Sequence, residues 1–374
     1  MKYFECGFCH HQIFFDDVEC QHCQHPIGYV TESKAMLSFE KTSDLLWKAL
    51  LSPANQNLSG ERFPSVTLHH QYFKPCKNYS VYQVCNWVVP ADNPHEYCES
   101  CQLTHVLPNL NSEENLLYWR RLEQAKRRFL YLTQQMNLMP RPKRDDSDRY
   151  GLRFEFLIPS EDEIVMTGHA NGVITLNAIE ADVVYRETTR VNMGENYRTL
   201  LGHFRHESGH YYLDIMKYLH PELTDEFRSF FGDERRDYVQ ALDHHYNHGA
   251  PPNWQEQFIS TYATAHPWED WAETWAHYLH MMETLETAYY GGLVVIGNGR
   301  AIKGMQFTES PIGAQDFENT LQNWITLTFN LNALNRSMGL DDAYPFTLSE
   351  PVKNKLRFIH KHVLDKAFGT SQSI

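Results

Sequence analysis

The chain has 374 residues, with 13% aromatic and 21% charged side chains and a net charge of −14. That length can bury a large core in two or three domains, and the composition excludes long disorder. The acidic balance argues against duplex DNA or an anionic membrane as the main partner, and no run of about eighteen apolar residues marks a membrane span.

The opening "MKYFECGFCHH" lacks the apolar core of a secretory signal, so a cytoplasmic location is expected. In that reducing compartment the eight cysteines, all placed before residue 102, read as metal ligands rather than disulfides. The first four form two C-x-x-C knuckles, Cys6 with Cys9 and Cys20 with Cys23. Two such turns offer four thiolates to one tetrahedral zinc, the pattern of a zinc ribbon over residues 1–34. A segment this short cannot bury enough surface to fold alone, so a metal staple gives it a reason to be ordered.

"SPANQNLSGERFPS" (52–65) is polar and rich in turn formers, and reads as a linker. A second cysteine-rich zinc-binding segment follows at 66–110, with Cys76, Cys85, Cys98 and Cys101. Only the last two are spaced C-x-x-C. Cys76 and Cys85 are the irregular pair, for either of which His69, His70 or His95 could substitute. From Asn109 to Met139 apolar residues recur at helical spacing, with Asn111 or Ser112 as N-cap. The basic run "RRLEQAKRR" (120–128) reads as a solvated face of that helix.

Residues 152–186 change period. "LRFEFLI", "EIVMTGHA" and "GVITLNA" are β-type runs, and "ANG" between the last two has the chemistry of a hairpin turn. From Asn196 the helical period returns through "NYRTLLGHFRHESGHYYLDIMKYL". There His206 and His210 stand at i and i+4 on one helix face, where two imidazoles can reach one zinc. Glu207, one step round, is placed to act on a zinc-bound water. His203 shares the face as a neighbour of the site. In a chain with 21 histidines, H-E-x-x-H also occurs by chance, so a third ligand has to be found.

"HPWEDWAETWAHYLHM" supplies it, since Pro267 can open a helix that carries Glu269 and Glu273 at i and i+4. This Glu-x-x-Ala-Glu resembles the corresponding segment of the Glu-liganded zincins, including the lethal-factor type. The resemblance implies that Glu269 is the third zinc ligand and that Glu273 supports a ligating histidine. Tyr262, seven residues before Glu269, is a candidate donor to the developing oxyanion, with ordinary aromatic packing as the alternative. The stretch "GDERRDYVQALDHHYNHG" (232–249) reads as solvated helix, with Asp233, Glu234, Asp237, His244, His245 and His248 as candidate rim groups or rival ligands.

Nearly the whole chain resembles a bacterial family of zinc-binding metallopeptidases that carry an N-terminal zinc-ribbon segment. The likeness rests on "CGFC" with "CQHC", "CNWVVP", "CESCQLT", "YRTLLGHFRHESGHYY", "FGDERRDY", "HPWEDWAETWAHYLHM" and "NRSMGLDDAYPF". It implies an α+β, zincin-like catalytic domain over 111–374, ending in amphipathic helices, with one catalytic and one or two structural zinc ions. The expected substrate is a peptide or protein, and the ribbon could engage a protein partner. A non-catalytic zinc-bound adaptor, or a zinc hydrolase of a non-peptide amide, are the alternative functions.

Overall fold

The structure is a computed structural model that describes residues 1–52, 66–160, 164–297, 299 and 303–369. The expected linker at 52–65 lies, apart from Ser52, outside the described residues. Helix and sheet are mixed, and the chain divides into two compact units. One comprises Met1–Gly168, Val173–Thr189 and Tyr290–Gly292, and the other His169–Gly172, Arg190–Tyr289 and Leu293–Ile374.

In the first unit, β1 (Phe4–Glu5) and β2 (Gln12–Ile13) form a small antiparallel ladder. β3 (Ile27–Val30), β4 (Ala35–Ser43), β5 (Leu46–Leu50), β6 (Tyr72–Pro75) and β7 (Val88–Pro90) then make an antiparallel sheet in chain order. The single-turn helices α1 (Lys77–Ser80) and α2 (Glu99–Gln102) each start just after a cysteine, Cys76 and Cys98. β8 (Thr104–Val106) leads into α3 (Glu113–Gln135), which begins where the Ser112 hydroxyl accepts from the Asn115 amide at 3.1 Å. Tyr131 of α3 completes an aromatic cluster with Phe15 and Tyr29, and the Trp87 ring lies tilted against Tyr29 at 4.5 Å. Burial of these large rings holds the helix to the sheet.

The basic run is only in part the solvated face that its charge implies, since Arg120 is exposed and two other cations are not. Lys126 and Arg127 are buried, Lys126 against the equally buried Glu123 at 2.8 Å and Arg127 against the Val84 carbonyl. A charge count misses this because each buried cation carries its own partner. Lys126 also lies over the rings of Phe154 and Phe156.

Those rings belong to β10 (Gly151–Leu157), the centre of a second sheet. It pairs in parallel with β8, with β9 (Arg141–Pro142) and with β12 (Val173–Asn177). β11 (Gly168–Ala170) lies on the far side of β12. The two residues linking β11 and β12, Asn171 and Gly172, have φ of 47° and 72°. Two consecutive left-handed residues make the type I′ turn expected of "ANG".

The remaining elements are helices: α4 (Val183–Asn192), α5 (Leu200–Leu219), α6 (Thr224–Phe231), α7 (Tyr238–His248), α8 (Pro267–Tyr290), α9 (Phe317–Ser337) and α10 (Glu350–Leu364). The helix expected from Asn196 starts four residues later, because the Thr199 hydroxyl caps it by accepting from the Gly202 amide at 2.9 Å. Pro267 does open α8, and the His266 ring accepts from the Trp268 amide at its first turn. Among the described residues, no helix is long and apolar enough to cross a membrane.

Packing of α5 on α8 decides the second unit. A Cβ added at Gly209 would stand 2.9 Å from the Ala272 Cα, so the two backbones touch there. The indole of Trp271 donates to the Gly209 carbonyl at 2.8 Å, and that of Trp275 to the Ser208 hydroxyl at 3.1 Å. Arg205 of α5 pairs with Glu283 of α8 at 2.5 Å. These bonds pin the register of one helix against the other.

Candidate functional site

The two N-terminal knuckles fold alike. Cys6 and Cys20 each accept at their carbonyl from the residue four ahead, His10 and Gln24, and both of those residues have a φ of 62°. The repeated turn brings four sulfurs within 4.8 Å of one another, with Cys6 to Cys23 and Cys9 to Cys20 both at 3.6 Å. Thiolates placed tetrahedrally round zinc at about 2.3 Å would be about 3.8 Å apart, so the spacing suits that ion. Gly7 is required inside the first knuckle, since a Cβ there would lie 2.2 Å from the Leu50 carbonyl oxygen. Burial is outweighed at Cys6 by backbone amides and the Ser38 hydroxyl, which bring its thiol down to about 7. Burial instead pushes Cys23 up to about 12.

Cys76, Cys85, Cys98 and Cys101 also converge within 4.8 Å, and all four are buried. Cys85 and Cys98 lie 3.7 Å apart, and the Cys76 sulfur accepts from the Cys98 amide at 3.3 Å. α1 lies between Cys76 and Cys85, and β7 lies between Cys85 and the knuckle formed by the later pair. The histidines considered as substitutes are not in this group. His70 bonds to Glu32 at 2.7 Å, the His69 amide donates to the same carboxylate, and the His95 amide donates to Asn93. Burial and the neighbouring sulfurs hold the Cys98 thiol well above its ordinary range. A buried quartet of thiols with no cationic side chain in the group suits a bound cation, which would ionise them.

In the second unit, α5 presents His206 and His210 to Glu269 of α8. The Glu269 Oε2 is 3.0 Å from His206 Nε2 and 3.6 Å from His210 Nε2. One ligand atom from each residue lies within 4.8 Å of the others, as a shared metal requires. Glu269 is only 1% exposed. Around it, His206 Nδ1 bonds to Glu273 at 2.7 Å, and the Ser260 hydroxyl donates to the other Glu273 oxygen at 2.6 Å. That leaves Nε2 as the nitrogen facing Glu269. Ser208 and Gly209, the two unspecified positions of the motif, make the α5–α8 contact that brings Glu269 within reach.

Electrostatics favour positive charge at this point. Burial acts against an imidazolium at His206, yet Glu269 and Glu273 hold its pKa well above the usual value. Burial likewise opposes ionisation of Glu269, but both imidazoles keep its carboxyl well below the ordinary range. The donor set, two imidazole nitrogens and one carboxylate oxygen, therefore fits a divalent zinc.

Glu207 is largely buried beside these ligands in sequence, and the Tyr262 ring centroid is 5.9 Å from that of His206. Burial, with Glu269 close by, pushes the Tyr262 hydroxyl upward, so it stays a proton donor. His203 is on α5 but is not one of the converging ligands. The cluster at 232–249 divides in two. Glu234 is buried in ion pairs with Arg228 and Lys217 at 2.9 Å each, whereas α7 carries no buried residue. Tyr238, which is not among the candidates that the sequence offers, donates from its hydroxyl to Glu269 Oε1 at 2.7 Å. No motif marks it, because the bond spans 31 residues and joins different helices.

A family model described as "Putative zinc-binding metallo-peptidase" matches residues 115–362, and a zinc-ribbon domain model matches residues 3–112. Proteins from Mycobacterium tuberculosis and Mycobacterium bovis, each called an uncharacterized protein, are 39% identical over 360 residues. The match covers 96% of this chain and 94% of each relative. No solved structure matches it. On both the family model and the relatives, the chain belongs to the family of "Putative zinc-binding metallo-peptidase" proteins with an N-terminal zinc ribbon.

Proposed function

We propose that this protein is a zinc-dependent peptidase with a zincin-like, Glu-liganded centre. The observation that carries the reading is the convergence of His206, His210 and Glu269 within 4.8 Å, from two helices locked in register. These residues would hold the zinc, which when bound supplies a Lewis acid that lowers the pKa of water and polarises a carbonyl. Glu207 takes a proton from the attacking water and delivers it to the leaving amine. Glu273 fixes the His206 ring, itself steadied by Ser260. Tyr262 donates a hydrogen bond to the oxyanion as charge develops there.

The substrate in this reading is a peptide or protein. Each cysteine tetrad binds one structural zinc. The decisive experiment is Glu207→Gln assayed on a peptide library beside metal analysis. Zinc content should be unchanged while turnover falls by about 100-fold or more. Wild-type turnover in that variant would refute the assignment.

A further inference from the structure

Glu269 has two carboxylate oxygens, and the fold gives them different tasks. Oε2 faces both imidazoles, at 3.0 and 3.6 Å. Oε1 accepts from the Tyr238 hydroxyl at 2.7 Å. The carboxylate is almost wholly buried, so the oxygen turned from the histidines needs a partner within the protein. We propose that Tyr238 is a positioning residue for the metal centre: by occupying Oε1 it makes Glu269 a one-oxygen ligand and keeps a coordination position open for water. The inference rests on the metal assignment made above.

Tyr238 is the first residue of α7, and Asp237 fixes that end of the helix by accepting from the Gln240 amide at 3.0 Å. The ring is held edge-on to His266 at 5.2 Å and tilted to Trp268 at 5.4 Å. Trp268 precedes Glu269 on α8, and His266, just before that helix, accepts from the Glu269 amide at its carbonyl. The hydroxyl is thus aimed by the packing of its ring as well as by the hydrogen bond. Losing one such orienting bond typically weakens metal binding about 10- to 100-fold.

Tyr238→Phe removes the hydroxyl and keeps the ring. Tyr238 is half-buried on a helix with no buried residue, so the variant should fold, which its circular dichroism and thermal transition would verify. Zinc affinity is measured on the full chain by chelator competition, with the cysteine sites loaded and His206→Ala as a reference. In the expected result Tyr238→Phe retains the cysteine-bound ions and weakens the remaining one about 10- to 100-fold, with an unchanged thermal transition before that ion is added. Cobalt in the same site should change its visible spectrum, because a two-oxygen Glu269 raises the coordination number. A merely structural tyrosine would not move that spectrum. Wild-type affinity and an unaltered cobalt spectrum in Tyr238→Phe, while His206→Ala loses the ion, would overturn the role of Tyr238. An unchanged metal content in His206→Ala would overturn the metal assignment itself, and the role of Tyr238 with it.

Discussion

Glu234 shows how a single carboxylate can tie stability to pH. It is 3% exposed, and although burial opposes its charge, Arg228 and Lys217 bring its pKa down to about 2, from the usual 4.5. A lowered folded-state pKa means that its contribution is complete above about pH 4.5 and is lost as the pH falls through about 2. The shift corresponds to roughly 3 kcal/mol. Urea unfolding of wild type and Glu234→Gln should therefore differ most at neutral pH and converge near about pH 2. An equal gap at both pH values would remove this residue from the acid response. At the metal centre, Tyr262→Phe should lower kcat by about 100-fold or more while zinc content stays constant. Steady-state kinetics checks this, and an unaffected kcat would reduce Tyr262 to a packing residue.

Between elements, the contact of α5 with α8 is what makes a constellation from two separate motifs. "HESGH" contributes Gly209 and "EDWAE" contributes Ala272, and the small side chains let the helices close. Gly209→Ala would place a Cβ against backbone at 2.9 Å. The expected cost is about 1–3 kcal/mol of stability, with weakened zinc at His206, His210 and Glu269. Thermal unfolding and chelator competition measure the two effects together. Gly168→Ala is the control, since nothing lies within 4 Å of a Cβ there. A Gly209→Ala variant with native stability and zinc affinity would show that the helices can shift without loss.

For the whole molecule, three separate donor sets should appear as three metal equivalents of two chemical kinds. A thiol-specific mercurial should release the ions held by the two cysteine tetrads. The ion at His206, His210 and Glu269 should survive that reagent and leave with a chelator. A metal indicator follows both phases, and release of every equivalent by the mercurial would refute the histidine site. In the proposed function the two kinds would differ in role, because four thiolates close a zinc site whereas three protein ligands leave it open to water.

Much of this centre could be read along the chain, because its chemistry is local. His206 and His210 are one helical turn apart, Glu269 and Glu273 likewise, and each cysteine knuckle is a single turn. Helical and turn geometry alone place such residues side by side. The "ANG" turn was legible for the same reason: two consecutive left-handed residues need Asn and Gly. Other partners from distant segments were not. Tertiary packing grouped Cys76 and Cys85, rather than a histidine, with the later knuckle, turned Lys126 and Arg127 inward beside partners, and set Tyr238 against Glu269. Each depends on an approach between elements that no periodicity encodes. Short-range spacing therefore determined which candidate ligands exist, and the meeting of α5, α7 and α8 decided how one carboxylate is held among them.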